Sequence, residues 1–485
     1  MLRRALSRLG LAVSVVGALT QPLGSQAPPS GAAGPSLELT SSSETAKREF
    51  RMMLAEIFNL RPAKARSHGL NAVAADPNFG LAKIHLARPT LSPELSATAR
   101  VEEMSRGLGL MTTASAPEIL LGVYAREVAA GRTATALPIL RAAADMVPGD
   151  QDVAFMLMNA ERAGRPIAEI VSRERAFIAK YPDFTGVYNQ YAYDLQASGD
   201  SAGALAAARR QVELLPDHPN AHDTWADILL LQGRIDEAYL HTEASVKLDS
   251  TYVNAYVKQG TIALVHGQYA PARALFKRAS DIAGIPAARV EARYWTAASY
   301  LYQHDVKAAL RELAAASDEA TAAKLPAAQL ALPHLRMAVI EAMVGDRKTV
   351  ETHLAKAAEL APANTLNQTL HATLAAGALG DAKAAEDGAR AYAAATGASA
   401  PLSHTLAAVA AMAAKNLPAA EAHLAQSPPT NLLAKTLRAE VMKAKGQVAE
   451  ARVVRDEILK APLKLDGNGP LDFTKLVARL RAERL

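Results

Sequence analysis

The sequence predicts an all-α protein, a solenoid of about ten antiparallel helix pairs stacked in one array. Four observations carry that expectation. From Glu44 onward, apolar residues recur with helical periodicity in segments of about 12 to 16 residues. Short punctuation such as AAGR, ASGD, LQGR, VHGQ and MVGD separates them, with no convincing alternating strand. Half of the residues are hydrophobic but only 5% are aromatic, because Ala supplies much of the apolar count and suits closely packed helices. Finally, Gly199, Gly233 and Gly267 are spaced by 34, as are Ala204, Ala238 and Ala272, and also Ala192, Ala226 and Gly260. The first set falls where a helix must end and the chain reverse, a place that favours positive φ. The other two let paired helices approach closely.

Along the chain, residues 1–27 come first: basic MLRRALSRLG, the uncharged apolar run LGLAVSVVGALT, then Ser25 and Ala27 at the small-residue positions of a signal-peptidase site. This reads as a secretory signal cleaved after Ala27. The run is shorter than the roughly 20 residues of a membrane span, so an uncleaved anchor is the secondary reading, and Arg3-Arg4 fits a twin-arginine signal poorly. Residues 28–43, rich in Pro, Gly and Ser, read as a flexible leader. The helical array is expected over 44–465, with its register slipping near Gly284-Ile285-Pro286 and across SDEATAAKLPAAQ, hence a bend near 284–330. Residues 466–485 end in LDFTKLVARLRAERL, amphipathic and strongly charged on one face, the expected terminal capping helix.

Three consecutive units, 185–218, 219–252 and 253–286, share one grid, and on it the sequence resembles the tetratricopeptide repeat family of 34-residue helix-turn-helix hairpins. The matching residues are Tyr188, Tyr191, Ala192, Leu195, Ala204 and Pro216; then Trp225, Ala226, Leu229 and Ala238; then Tyr256, Gly260, Ala272 and Phe276. Ala208 and Thr242 depart from the family's aromatic position, and Ser250 and Gly284 from its Pro. Weaker units are marked upstream by Gly131, Ala136 and Pro148, and downstream by Gly345-Asp346 and Gly380-Asp381. The resemblance implies a right-handed superhelix whose concave wall is lined by the first helix of each pair. The wall positions are filled by Asn189, Tyr193 and Gln196, by Asn220, Asp223, Asp227 and Leu230, and by Asn254, Val257, Thr261 and Leu264. The set is amide-rich, mildly acidic and partly apolar, as a groove for an extended peptide or partner helix would be. The Lys and Asn with which one subclass grips C-terminal carboxylates are replaced here by Asn189 and Tyr193 and by Asp223 and Asp227, so that clamp is missing.

Other chemistries find little support. GDSAG, residues 199–203, matches the G-x-S-x-G elbow that would make Ser201 a nucleophile. Its Gly199 and Ala204 recur in the turns QGRIDEA and HGQYAPA without a serine, so a helix-to-helix turn is the better account. His218 and His222 have the spacing of two metal ligands on one helix face, but Pro219 places His218 outside the helix, no third ligand is evident, and the other ten histidines look scattered. No metal and no cofactor are expected. Removing Arg3, Arg4 and Arg8 with the signal lowers the formal net charge from +5 to +2, too little for a phosphate-tracking surface, so nucleic acid is not the expected partner. With no Cys, stability must come from packing alone. The expectation is an exported bacterial protein, periplasmic or secreted and without a membrane span when mature, that binds a protein or extended peptide without catalysis. A serine hydrolase at Ser201 and a small-molecule or glycan carrier are the alternatives.

Overall fold

Alanine-rich amphipathic segments fold into helices wherever the chain offers a stop and a start, and here one dipeptide supplies both. Gly199, Gly345 and Gly380 end their helices with φ of 91°, 91° and 71°. The Asp that follows each, Asp200, Asp346 or Asp381, accepts a backbone N–H of the next helix's first turn at 2.8–3.1 Å. The computed structural model describes residues 34–398, 400, 402–460 and 473–485. The expected signal over 1–27, residues 28–33 of the expected leader and residues 466–472 of the expected cap lie outside the described residues.

The helices are α1 (Glu44–Phe58), α2 (Pro62–Ala75), α3 (Gly80–Leu86), α4 (Ala97–Leu110), α5 (Ala116–Ala129), α6 (Thr133–Met146), α7 (Gln151–Ala160) and α8 (Ile167–Lys180). Then come α9 (Gly186–Ser198), α10 (Ser201–Leu214), α11 (Pro219–Leu231), α12 (Ile235–Leu248), α13 (Val253–Val265), α14 (Tyr269–Ile282), α15 (Pro286–Leu301) and α16 (Val306–Ala322). The last are α17 (Ala327–Val344), α18 (Arg347–Leu360), α19 (Thr365–Leu379), α20 (Ala382–Thr396), α21 (Ser403–Ala413), α22 (Leu417–Gln426), α23 (Leu432–Ala444), α24 (Val448–Lys460) and α25 (Phe473–Ala482). Among the described residues there is no strand. The chain forms two compact units, one of residues up to 54 with 65–163 and 173–184, the other of residues 55–64, 164–172 and 185–485.

In the first unit Phe50 packs on Phe79 at 5.2 Å and meets His85 edge-on, while Phe155, Phe177 and Phe184 form a second aromatic cluster. The second part of the leader is not flexible. Leu37, Leu39 and Ser41 are buried while their neighbours face out, a period-two pattern in SLELTS of extended chain laid on helices. Its backbone is held: Leu37 N donates to Asp150 Oδ2 and Thr40 N to Glu118 Oε2, each at 3.0 Å. Asp150 thereby serves twice, since it also caps α7 through Val153 N.

The second unit is a run of hairpins from α9/α10 through α23/α24, each pair packed together, with first helices also in contact at α9–α11, α13–α15, α17–α19, α19–α21 and α21–α23. The repeat-defining residues lie where the spacing requires. Ala192, Ala204, Ala226, Ala238 and Ala272 are fully buried, and Gly260 faces the ring of buried Phe276. Gly233 and Gly267 adopt positive φ, as Gly199 does. The register slips are absorbed by lengthening: α15, α16 and α17 have 16, 17 and 18 residues against 13 or 14 in α9 to α14. Pro286 opens α15 at a position where a missing N–H costs nothing.

Gly260 provides a test of close packing. A Cβ there would enter the Phe276 ring. Overpacking of a buried contact costs about 1–3 kcal/mol, more than the ~1 kcal/mol of helix propensity that Ala gains over Gly. Gly260→Ala is therefore expected to lower unfolding stability by about 1–2 kcal/mol in urea titration. Gly109→Ala in α4, with open space around it, is expected to raise stability by up to about 1 kcal/mol.

Candidate partner-binding surface

Of the residues expected to line the inner wall, Tyr193, Asn220, Asp223 and Asp227 are brought together, and much of the set is closed off. Asn220, Asp223, Asp227, Leu230, Thr261 and Leu264 are buried; Asn189, Tyr193, Gln196, Asn254 and Val257 are half-buried. What closes the set is a residue the sequence reading passed over. Lys258 of α13 is 1% exposed, and its ammonium pairs with Asp223 and, at 3.0 Å, with Asp227 Oδ2 of α11. Tyr193 donates to Asp227 Oδ2 at 2.6 Å, and Tyr252 donates to Asn220 Oδ1 at 3.1 Å and to Asp223 Oδ2 at 3.4 Å. Asn189 Nδ2 donates to Thr224 Oγ1 at 2.7 Å, and Gln232 Nε2 to Gln196 Oε1 at 2.9 Å.

The electrostatics of this cluster follow from charge count and burial. Two carboxylates face one ammonium, so full ionisation leaves one buried negative charge. Burial first, and the Asp223 charge after it, push Asp227 up to about 7 against the pull of Lys258. Asp223 is raised by burial as well. Burial works against the Lys258 charge, yet the two aspartates outweigh it and hold its pKa above the ordinary lysine value. Both tyrosines are raised by burial and remain donors. Isolated charges in such a place would cost several kcal/mol each, and only the mutual pairing makes them tolerable.

The other sequence candidates fall elsewhere. Ser201 is the first residue of α10, just after the Asp200 cap, and its carbonyl accepts from Gln232 Nε2 at 2.8 Å. His218 caps α11 by accepting from Asn220 N, and burial lowers it to about 4. His222 does not converge with it: His222 Nδ1 lies 3.2 Å from His241 Nδ1. The histidines are not scattered, since His334 meets His353 and His404 meets His423 in the same way.

The inter-repeat bonds join residues 34 to 36 apart, Tyr193 to Asp227, Asn189 to Thr224 and Gln196 to Gln232, so successive hairpins stack in the register of the sequence period. The fold is a tetratricopeptide-like helical-repeat solenoid. No family model and no curated protein matches the sequence. Among solved structures, a tetratricopeptide repeat protein from Parabacteroides merdae is 14% identical, covering 54% of this chain and 98% of its own, with a TM-score of 0.41. The APC/C hetero-tetramer Cut9-Hcn1 matches at 14% identity over 84% of this chain and 78% of its own, TM-score 0.43. PilF of Pseudomonas aeruginosa matches at 15% over 41% and 90%, TM-score 0.35.

The tetratricopeptide-like array carries one more element on its first helices, the C-terminal helix α25, whose contacts reach beyond the last hairpin. Phe473 stacks on His371 of α19 at 5.5 Å, with the Arg336 guanidinium of α17 lying between Phe473 and Tyr294. Arg479 covers the ring of Tyr302 at the end of α15 at 4.3 Å, and Arg481 forms a two-point pair with Glu440 of α23 at 2.5 and 2.8 Å. Leu476, Val477 and Ala478 are buried beneath. Among the described residues no helix is long and apolar enough to cross a membrane.

The ionic cluster gives a prediction with a sign. An acid whose folded pKa is raised supplies stability that is present below its ordinary value and is lost as pH rises through the folded value, here from about 4 to about 7. Asp227→Asn removes that loss and leaves Asp223 balanced by Lys258. Its stability relative to the native chain should therefore rise between pH 5 and pH 8 in parallel urea titrations. Lys258→Met, which strands two buried carboxylates, should cost about 3–5 kcal/mol at pH 8.

Proposed function

We propose that this protein is a non-enzymatic scaffold that binds a helical segment of a partner protein on the face built by its first helices. The observation that carries the reading is the seat of α25. That face takes an amphipathic helix through an aromatic anchor, Phe473, a buried aliphatic pair, Leu476 and Val477, and a flanking Arg481–Glu440 pair. Helix-in-groove recognition uses this combination: apolar residues on one face supply affinity, and charged flanks supply orientation. The half-buried amides of Asn189, Gln196 and Asn254 lie on first helices α9 and α13, which precede the seat of α25 in the array. The setting of Ser201 in a repeat turn supports a role without catalysis. Residues 1–27 support export, and N-terminal sequencing of protein from the native host should find the chain beginning after Ala27.

Photo-crosslinking amino acids placed at Met343 of α17, Ala378 of α19 and Lys443 of α23, which border the C-terminal segment, test the binding surface in cells of the native host. Probes at Tyr239 and Leu240, exposed on second helix α12, are the control. First-helix positions should capture one discrete protein, and the yield should rise several-fold when Phe473→Ala and Arg481→Glu loosen α25. Equal capture from both faces, or none from the first helices in either background, would overturn the reading.

A further inference from the structure

Three hairpins carry the same feature. His222 and His241 join α11 to α12, His334 and His353 join α17 to α18, and His404 and His423 join α21 to α22, each pair 19 residues apart. The Nδ1···Nδ1 separations are 3.2, 3.1 and 3.4 Å, the ring centres lie 5.5, 5.3 and 5.7 Å apart, and the rings are tilted by 31°, 35° and 35°. In every pair the centres are farther apart than the nitrogens by one ring width. The two Nδ1 atoms therefore lie on the line joining the centres, aimed at each other.

That alignment suits two occupants of the space between the nitrogens. One is a proton, in an N–H···N bond. The other is a cation that accepts two ligands in a straight line. Among the described residues no group of three or more His, Asp or Glu converges as a metal site, which argues against ions that need three or four protein ligands. A soft monovalent d10 ion needs only two, and imidazole suits copper. Two bonds of about 2 Å in a straight line would require each pair to open by roughly 0.6 to 0.9 Å, within reach of half-buried side chains.

The outer nitrogens are set as ligands require. Nε2 of His222 faces the Pro216 carbonyl at 3.3 Å, which makes it the protonated nitrogen and leaves Nδ1 bare. Nε2 of His334 faces Ser317 Oγ at 3.3 Å. Trp225 stacks on His241 at 4.2 Å and fixes its plane. His404 and His423 border a cavity of about 800 Å³ lined mostly by alanines of α20, α21 and α22, so an ion can reach them from solvent. Burial first, then the neighbouring imidazole, keeps His241, His334 and His423 below the ordinary histidine value and hence neutral at pH 7.

We propose that these three pairs are two-coordinate sites for a soft monovalent cation of the Cu(I) class, one ion per hairpin.

Silver(I), which has the same preference and no redox change, is the probe. Calorimetric titration of the full chain at pH 7 should find three equivalents, with a rise in Tm and shifted Nδ1 resonances for the six histidines. His241→Gln, His353→Gln and His423→Gln should each remove one equivalent, and the triple variant should bind silver at least tenfold more weakly. His68→Gln and His266→Gln should leave the stoichiometry at three. Gln retains a hydrogen-bonding amide, and circular dichroism of each variant establishes that the helices persist. Should a variant lose its helices, the resonance shifts of the native chain decide alone. Shifts confined to histidines outside the pairs, a stoichiometry that the pair variants leave intact, or binding no tighter than that of free imidazole would overturn the proposal.

Discussion

The constraint on which the second unit depends is the distance between helix axes. At the crossing points stand Ala192, Ala204, Ala226, Ala238, Gly260 and Ala272, residues too small to hold helices apart. Close helices bury backbone and short side chains together, so an array with few aromatic residues still packs densely. The same closeness fixes register. Once two helices touch along a row of alanines, side chains at a given separation must meet: residues 19 apart across a hairpin, and residues 34 to 36 apart between hairpins. The histidine pairs and the bonds from Tyr193 to Asp227 and Asn189 to Thr224 are direct products of that geometry.

Close packing also explains why polar residues on the first helices are trapped rather than solvated. Positions that face a groove when helices are splayed become interior when the neighbouring first helices touch. Asp223, Asp227 and Lys258 then face one another in a place without water, and their pairing contributes specificity of arrangement more than stability. A buried ion pair is often no better than an apolar contact of the same volume, but breaking it is costly, so the cluster penalises any other stacking of α11 on α13.

Much of this was legible in the sequence. The 34-residue spacing located the turn glycines and the small residues, because sterics at a helix crossing and at a positive-φ turn admit few side chains. Four features were not read. Lys258 went unread because a single charge in a helix carries no sign of its partners, which here lie 31 and 35 residues upstream. The strap at Leu37 to Ser41 was masked by its Pro-, Gly- and Ser-rich flank, although its alternation was present. The histidine pairs were there as a recurring spacing of 19, visible only when both helices of a hairpin are compared. The position of α25 depends on contacts with helices up to about 180 residues away, such as Arg479 on Tyr302, and local amphipathicity does not reveal which surface a helix will cover.

The seat of α25 sets a condition on any partner that uses it. A helix tethered to its own groove competes at an effective concentration on the order of millimolar. A free segment of equal affinity, present at micromolar concentration, would occupy the face about a thousandfold less. A partner must therefore bind more tightly than α25, or weaken its anchors. Those anchors are unequal. Phe473, stacked on His371 and covered by Arg336, is enclosed, whereas Arg481 and Glu440 form a partly exposed pair. Salt screens the exposed pair and leaves the aromatic contact largely untouched, so displacement is more readily started at the Arg481 end than at Phe473.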